Sequence, residues 1–305
     1  MTDAASSQPF PVQLSHDLAA LVAAAAPAVV AVHGGGRRPS SGIVWQPGVV
    51  VTAEETIAHD NDLAVVLPGG ARVPATLAGR DPSTDIAVLR YDGAPPPNAF
   101  AATPASAGLQ AGQLVLAIGS ADGGPLATLG MVSFAGAPWE SRLGGCIDAR
   151  LVIDTRLPAI AEGGALIGTD GSFIGMAVFA PRRRVLAIPA ATIARIAPVI
   201  LDKGHISRGY LGVSLQRVAL GAAGGGGEAR RGAMVVTLDP DGPARTAGIH
   251  QGDIIVAVGG AAVTGPRSLY HQLGPDAVGR KLAVDLIRAG TPASVDVVIA
   301  PRPAA

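Results

Sequence analysis

The sequence predicts a mainly β chain: two six-stranded β-barrels in tandem, followed by a smaller α+β module. Three observations carry this. About half of the 305 residues are apolar (49%), dominated by Ala, Val, Ile and Leu, while aromatics are scarce at 3%. The 41 glycines and 25 prolines are spread along the chain, as many short strands joined by turns require. Short β-like runs also fall into two groups of about six, separated by a proline-rich stretch without periodicity.

Residues 1–14 read as a flexible N-terminus. Residues 15–26, "SHDLAALVAAAA", read as a helix capped by Ser15, with Leu18, Leu21 and Val22 on one face. The first group of strands is 28–34, 41–45, 48–53, 63–68, 72–79 and 85–91, and turn clusters such as "PGGA" and "RDPST" separate its members. Residues 92–112 read as the connector. The second group is 113–120, 126–136, 148–155, 163–168, 172–180 and 184–190, so that the barrel domain spans 15–190. The apolar spacing of "AATIARIAPVILDKG" predicts a linker helix within 191–207, stopped by Gly204. Residues 208–305 form the last module, interrupted by the low-complexity loop "GAAGGGGEARRG".

Bulk charge and cysteine content narrow the function classes. Lys plus Arg (23) equals Asp plus Glu (23), so no global field draws the chain to nucleic acid or an anionic membrane. Cys146 is the single cysteine, which rules out an intrachain disulfide and leaves an inert thiol as its expected state. The opening "MTDAASSQPFPVQLSHD" lacks a basic region and an apolar run of signal type, and "LAALVAAAAPAVVAV" is broken by Pro27. A cytoplasmic location and no membrane span are therefore expected, or a periplasmic location if a leader has been removed.

The last module resembles a PDZ domain. "YLGV" (Tyr210, Leu211, Gly212, Val213) matches its carboxylate-binding loop, and "AGIHQGDIIVAVGG" matches its Ala-Gly-x-x-x-Gly-Asp stretch. The chemistry implied is backbone-driven: successive amides at Leu211, Gly212 and Val213 cradle a terminal carboxylate, and the strand that follows pairs with the peptide. The helix carrying Leu269 and Leu273 supplies the other wall of the groove.

Taken together, residues 15–302 resemble the HtrA/Deg family, a trypsin-like double barrel followed by a PDZ domain. "APAVVAV", "DPSTDIAVLRYD", "AGQLVLAIGS" and "LAIPAATIARIAPVILDKGHISRGYLGV" carry the resemblance in order. It implies a serine nucleophile, an imidazole base and an orienting aspartate. Asp85 occupies the aspartate position. In "VTAEETI", Glu55 stands at the histidine position. In "DTRLPAIAEGGAL", Glu162 stands at the serine position and Ile160 replaces an oxyanion-loop glycine; Gly163 and Gly164 are kept, and Ala165 replaces proline.

A carboxylate has no proton to surrender as serine does, and losing nucleophile or base costs on the order of a millionfold. Ile160 is also expected to mis-aim the oxyanion donors, because a β-branched residue cannot take glycine's backbone conformations. The function implied is a proteolytically inactive scaffold, adaptor or chaperone working through its PDZ domain. Two alternatives stand beside it: a serine endopeptidase with an unrecognised nucleophile, and a carboxylate or cation site built from Glu55, Asp85 and Glu162. The bland expectation is that the two glutamates face solvent or pair with Arg156.

Other features are read conservatively. "SADGGPLATLG" (120–130) imitates a nucleophile loop but follows the wrong strand. His59 is read as a loop residue and not as a displaced base, and the remaining histidines lack metal-ligand spacing. "PRRRV" (181–185) is read as a solvated hairpin tip in place of a longer pocket loop. No cofactor and no metal are expected. The partners implied are C-terminal peptides or unfolded proteins, with a homo-trimer or a hetero-oligomer with an active paralogue suggested by the family; Phe10 is the one N-terminal aromatic available for such packing.

Overall fold

The computed structural model describes residues 9–36, 38–93, 108–121, 124–206, 208–220 and 231–303. Most of the expected connector and of the glycine-rich loop lies outside these. The chain divides into two compact units: Met1–Trp139 with Cys146–His205, and Glu140–Gly145 with Ile206–Ala305.

The first unit begins with α1 (Phe10–Ala25). This corrects the helix start expected at Ser15, because residues 10–14 of the supposed flexible terminus are already helical. Pro9 supplies the N-cap, and its carbonyl accepts the N–H groups of Val12 (2.9 Å) and Gln13 (3.1 Å). Pro11 falls in the first turn, where a missing N–H costs nothing. Ser15 is therefore an interior residue.

The first barrel comprises β1 (Val29–His33), β2 (Ser40–Gln46), β3 (Val49–Thr52), β4 (Ala64–Val66), β5 (Arg72–Asp81) and β6 (Ile86–Tyr91). Its closed order is β1-β2-β3-β6-β5-β4. The second comprises β7 (Leu114–Ala121), β8 (Gly124–Gly136), β9 (Arg150–Asp154), β10 (Ala165–Gly168), β11 (Phe173–Ala180) and β12 (Arg184–Pro189). It closes in the order β7-β8-β9-β12-β11-β10, the same topology run a second time. Closure leaves no strand edge open.

Each barrel has its own core. Val32, Val50, Val65 and Leu89 fill the first, and Val115, Ile153, Leu166 and Ile174 fill the second. Between them, Trp45 of β2 meets Phe173 of β11 with ring centroids 6.3 Å apart. α2 (Ala190–Lys203) follows β12 and buries Ile193, Ile196 and Ile200. It stops where the sequence indicated, with Gly204 in the left-handed conformation (φ 76°) and its N–H on the Ile200 carbonyl at 2.8 Å. A Cβ on Gly79 would lie 1.8 Å from the Gly204 carbonyl oxygen, so only glycine lets the helix end approach β5.

The second unit contains β13 (Gly209–Tyr210), β14 (Val213–Ala219), β15 (Arg231–Leu238), α3 (Pro243–Thr246), β16 (Ile254–Val258), β17 (Ala261–Ala262), α4 (Pro266–Gln272), β18 (Lys281–Arg288), β19 (Thr291–Val298) and β20 (Ala300–Pro301). The main sheet runs β14-β15-β16-β18-β19, with β17 on β16, while β13 pairs with β20. Leu211, Val235, Ile255, Leu269, Val284 and Val297 form its core. The turn before β16 is fixed by Asp253, whose carboxylate takes Arg288 Nε (2.9 Å) and Nη2 (2.7 Å) together with the His250 N–H (2.8 Å). The Arg288 guanidinium and these hydrogen bonds outweigh burial and hold the Asp253 carboxyl below the usual carboxylate range.

Candidate functional site

Asp85 is placed by the turn that precedes it. The buried Asp81 carboxylate accepts the Ser83 N–H (3.1 Å), the Ser83 hydroxyl (2.5 Å) and the Thr84 hydroxyl (2.7 Å). This side-chain turn delivers Asp85 at the head of β6 in the left-handed region (φ 56°), which aspartate tolerates better than most residues. Asp85 Oδ1 accepts the Glu55 N–H at 3.1 Å, and the Asp85 carbonyl accepts the Glu54 N–H at 3.4 Å. The 54–56 turn after β3 is thereby pinned over the aspartate. Burial, assisted by the charges of Glu55 and Glu54, raises the Asp85 carboxyl to about 7 against the pull of those N–H bonds.

Glu162 sits on the loop entering β10. Its side chain does not splay outward or pair with Arg156, which corrects the bland expectation. Oε1 accepts the Phe179 N–H of β11 at 3.0 Å, and the carboxyl hydrogen-bonds to the Glu55 side chain. Burial, then that bond, then the charges of Glu55 and Asp85 push the Glu162 carboxyl up to about 8. Two carboxyl groups can share a hydrogen bond only when one holds a proton. Near neutral pH Glu162, raised to about 8, is the member that holds it.

The backbone of this loop is equally committed. Ala159–Ala161 form a 3₁₀ turn in which the Glu162 N–H donates back to the Ala159 carbonyl at 3.3 Å. Ile160 lies in this turn without a positive φ. The loop takes a right-handed turn open to any residue, and one of the two donors that an oxyanion hole would need points into that turn. Gly163 keeps its glycine for a steric reason: at φ 81°, a Cβ would lie 2.3 Å from the Ser41 carbonyl oxygen.

Ser41 is the residue that sequence reasoning missed. Fully buried on β2, it donates its hydroxyl to the Ile160 carbonyl (2.7 Å) and accepts the Ser120 N–H (2.9 Å). Its own N–H bonds the Glu162 carbonyl (2.8 Å). A small polar residue inside an otherwise apolar strand, "SSGIVW", was the available signal.

His59 lies on the loop packed at Gly35, with its N–H toward the Gly34 carbonyl (3.4 Å), and forms no hydrogen bond to Asp85. Among the described residues, no group of three or more His, Cys, Asp or Glu side chains is arranged to hold a metal ion. Of "DGGPL", Gly124, Pro125 and Leu126 open β8, while Asp122 and Gly123 lie outside the described residues. "PRRR" forms the tight turn between β11 and β12, where Arg183 lies 4.5 Å from the Phe179 ring centroid. Cys146 is exposed. Among the described residues, no helix is long and apolar enough to cross a membrane.

In the second unit, the Leu211 carbonyl accepts the Ala244 N–H (2.9 Å) and the Gly212 carbonyl accepts the Asp239 N–H (2.8 Å). In a planar trans peptide, each following N–H points the opposite way. The Gly212 amide is thereby aimed away from α3, and the Val213 amide away from the end of β15. Gly212 holds this loop at φ 73°, and Tyr210 braces it through a hydrogen bond from its hydroxyl to Asp239 Oδ2 (2.8 Å). Leu269 of α4 and Leu273, which caps it, face the same small cavity as Tyr210, Leu211, Gly212 and Val213.

Two barrels of identical topology joined to a sheet with two short helices define a trypsin-like domain followed by a PDZ domain. Residues 40–176 match the trypsin-like peptidase domain family, and residues 209–299 match the PDZ domain family. In this domain order the chain matches the HtrA family. It is 32% identical over 269 residues to a probable periplasmic serine endoprotease, DegP-like, of Brucella suis, covering 86% of this chain and 52% of that protein. A DegP-like protein of Pseudomonas putida is 30% identical over 278 residues, covering 86% and 55%. The chain thus spans about half the length of these relatives. Among solved structures, the HtrA-type protease AlgW with a decapeptide superposes with a TM-score of 0.73 at 26% identity, covering 94% of this chain and 99% of that one. The serine endoprotease of Yersinia pestis gives 0.71 at 29% identity, covering 93% and 97%.

Proposed function

We propose that this chain is a proteolytically inactive HtrA-type protein that binds peptides or unfolded proteins through its PDZ domain, as scaffold, adaptor or chaperone. The observation that carries the reading is the Glu162 carboxyl, bonded to Glu55 and to the Phe179 N–H at the position where the resemblance expects a free hydroxyl. A group so held offers no nucleophile, and the Glu162 N–H is spent within its own loop. The peptide-bound HtrA-type structure that this chain resembles supports the binding role.

The serine endoprotease names of the relatives favour the second reading, an active endopeptidase. It needs another hydroxyl, and Ser41, the one bonded to this loop, is fully buried and donates to a carbonyl. Incubating the purified chain with unfolded casein decides between them: the binding reading expects intact casein, and cleavage abolished by Asp85→Ala would overturn it. The relatives' description as periplasmic favours export over a cytoplasmic location, which cell fractionation tests. Assembly as a trimer or with an active paralogue is part of the proposal. Phe10, 77% exposed on α1, is its candidate contact, and light scattering of Phe10→Ala is its test.

A further inference from the structure

The loop 210–213 and α4 of the second unit enclose a small pocket. Leu211, Val213, Leu269, Tyr270, Leu273 and Arg302 line a cavity of about 20 Å³. That is close to the space one water molecule needs. A terminal methyl group enters it. A branched or aromatic side chain must displace Leu269 or Leu273, which are 0% and 4% exposed and belong to the domain core. The Gly212 and Val213 amides, turned away from α3 and from the end of β15 respectively, supply backbone donors but no net charge for a carboxylate.

Two arginines stand near those amides. Arg208, just before the loop, is committed through Nη1 to the Gly144 carbonyl at 2.7 Å within the same unit. Arg302, which follows β20, is placed by its backbone: its N–H donates to the Arg208 carbonyl at 2.8 Å, and the residue lines the pocket. Its guanidinium is exposed, makes no ion pair among the described residues, and lies close enough to act on the Tyr210 hydroxyl.

We infer that this pocket, on the reading of the second unit as a C-terminal peptide binder, takes peptides ending in a very small residue such as alanine, and that Arg302 is the counter-charge for their terminal carboxylate. Pocket volume sets the size limit. The Arg302 guanidinium adds a charge-assisted contact to the two amides.

The test uses the full chain and four N-terminally labelled decapeptide pools, randomised at nine positions and ending in Ala, Val, Phe or Ala amide, read by fluorescence anisotropy. The Ala pool should bind tightest, with the Phe pool weaker by roughly 10-fold or more. Arg302→Ala should weaken the Ala pool about 5-fold and flatten its salt dependence, and Arg302→Lys should restore most of both. Leu273→Ala, with its fold checked by a thermal melt, should move the preference toward Val and Phe. A Phe pool that binds as well as the Ala pool, or an Arg302→Ala variant that binds unchanged, overturns the inference and leaves the peptide-binding reading standing. If no pool binds, or if Ala amide binds as well as free Ala, the peptide-binding reading itself fails and the inference falls with it.

Discussion

The carboxyl of Glu162 accepts the backbone N–H of Phe179 at 3.0 Å, tying the loop before β10 to the strand β11. Together with the bond to Glu55, it links one barrel's turn to the other barrel's loop and strand. This makes Glu162 a structural clasp, and the consequences are measurable.

The first concerns pH. Glu162, raised to about 8, and Asp85, raised to about 7, hold protons in the folded state that the unfolded chain releases near its ordinary carboxylate values. Their stabilising contribution is complete below those unfolded values and disappears as pH rises through about 7 to 8. The melting temperature should therefore fall between pH 5 and 8, on the order of 5 °C. Glu162→Gln, which keeps the shape without the titration, should flatten that slope. An equal slope in the variant would reject the clasp.

Ser41→Ala removes a buried hydroxyl and strands the Ile160 carbonyl and the Ser120 N–H together. A loss of about 1–3 kcal/mol is expected in denaturant titration. A change below a few tenths would mean that water replaces the hydroxyl at no cost.

Gly163→Ala places a methyl group 2.3 Å from the Ser41 carbonyl oxygen at a positive φ. The expected cost is about 2 kcal/mol or more, seen as a lowered unfolding midpoint. A neutral result would show that the loop can take another course.

In the second unit, Arg288→Ala leaves the Asp253 carboxylate, 2% exposed, without its cation. Near neutral pH the variant should melt below the wild type, because removing one partner leaves the carboxylate uncompensated. Because the partner holds the Asp253 carboxyl below its ordinary value, the contribution is present above the unfolded value and is lost as pH falls through the folded one. The wild-type and variant melting temperatures should thus converge in acid.

The strand pattern was legible in the sequence because period, turn residues and order agreed, and each strand of both barrels lies within a few residues of its expected place. The start of α1 was misplaced because Ser15 looked like a better cap than Pro9, while a proline pair can open a helix without any side-chain cap. The family resemblance located Asp85, Glu55 and Glu162, but not what they do to one another. Whether a glutamate faces solvent or another carboxyl depends on the pairing of two barrels far apart in sequence. What Ser41 bonds was hidden for the same reason, since its partners lie 79 and 119 residues away. Asp81 was hidden inside a motif read only for Asp85.

The central claim is that this site holds no activated serine, and covalent labelling tests it most directly. The purified chain, treated with a fluorophosphonate probe near neutral pH, should show no more labelling than its heat-denatured control. The double variant Glu55→His/Glu162→Ser should remain slow by roughly 100-fold or more until Ile160→Gly also frees the loop, since one lost oxyanion donor costs about that much. Stoichiometric labelling of the unmodified chain, removed by substituting a single serine, would contradict the account.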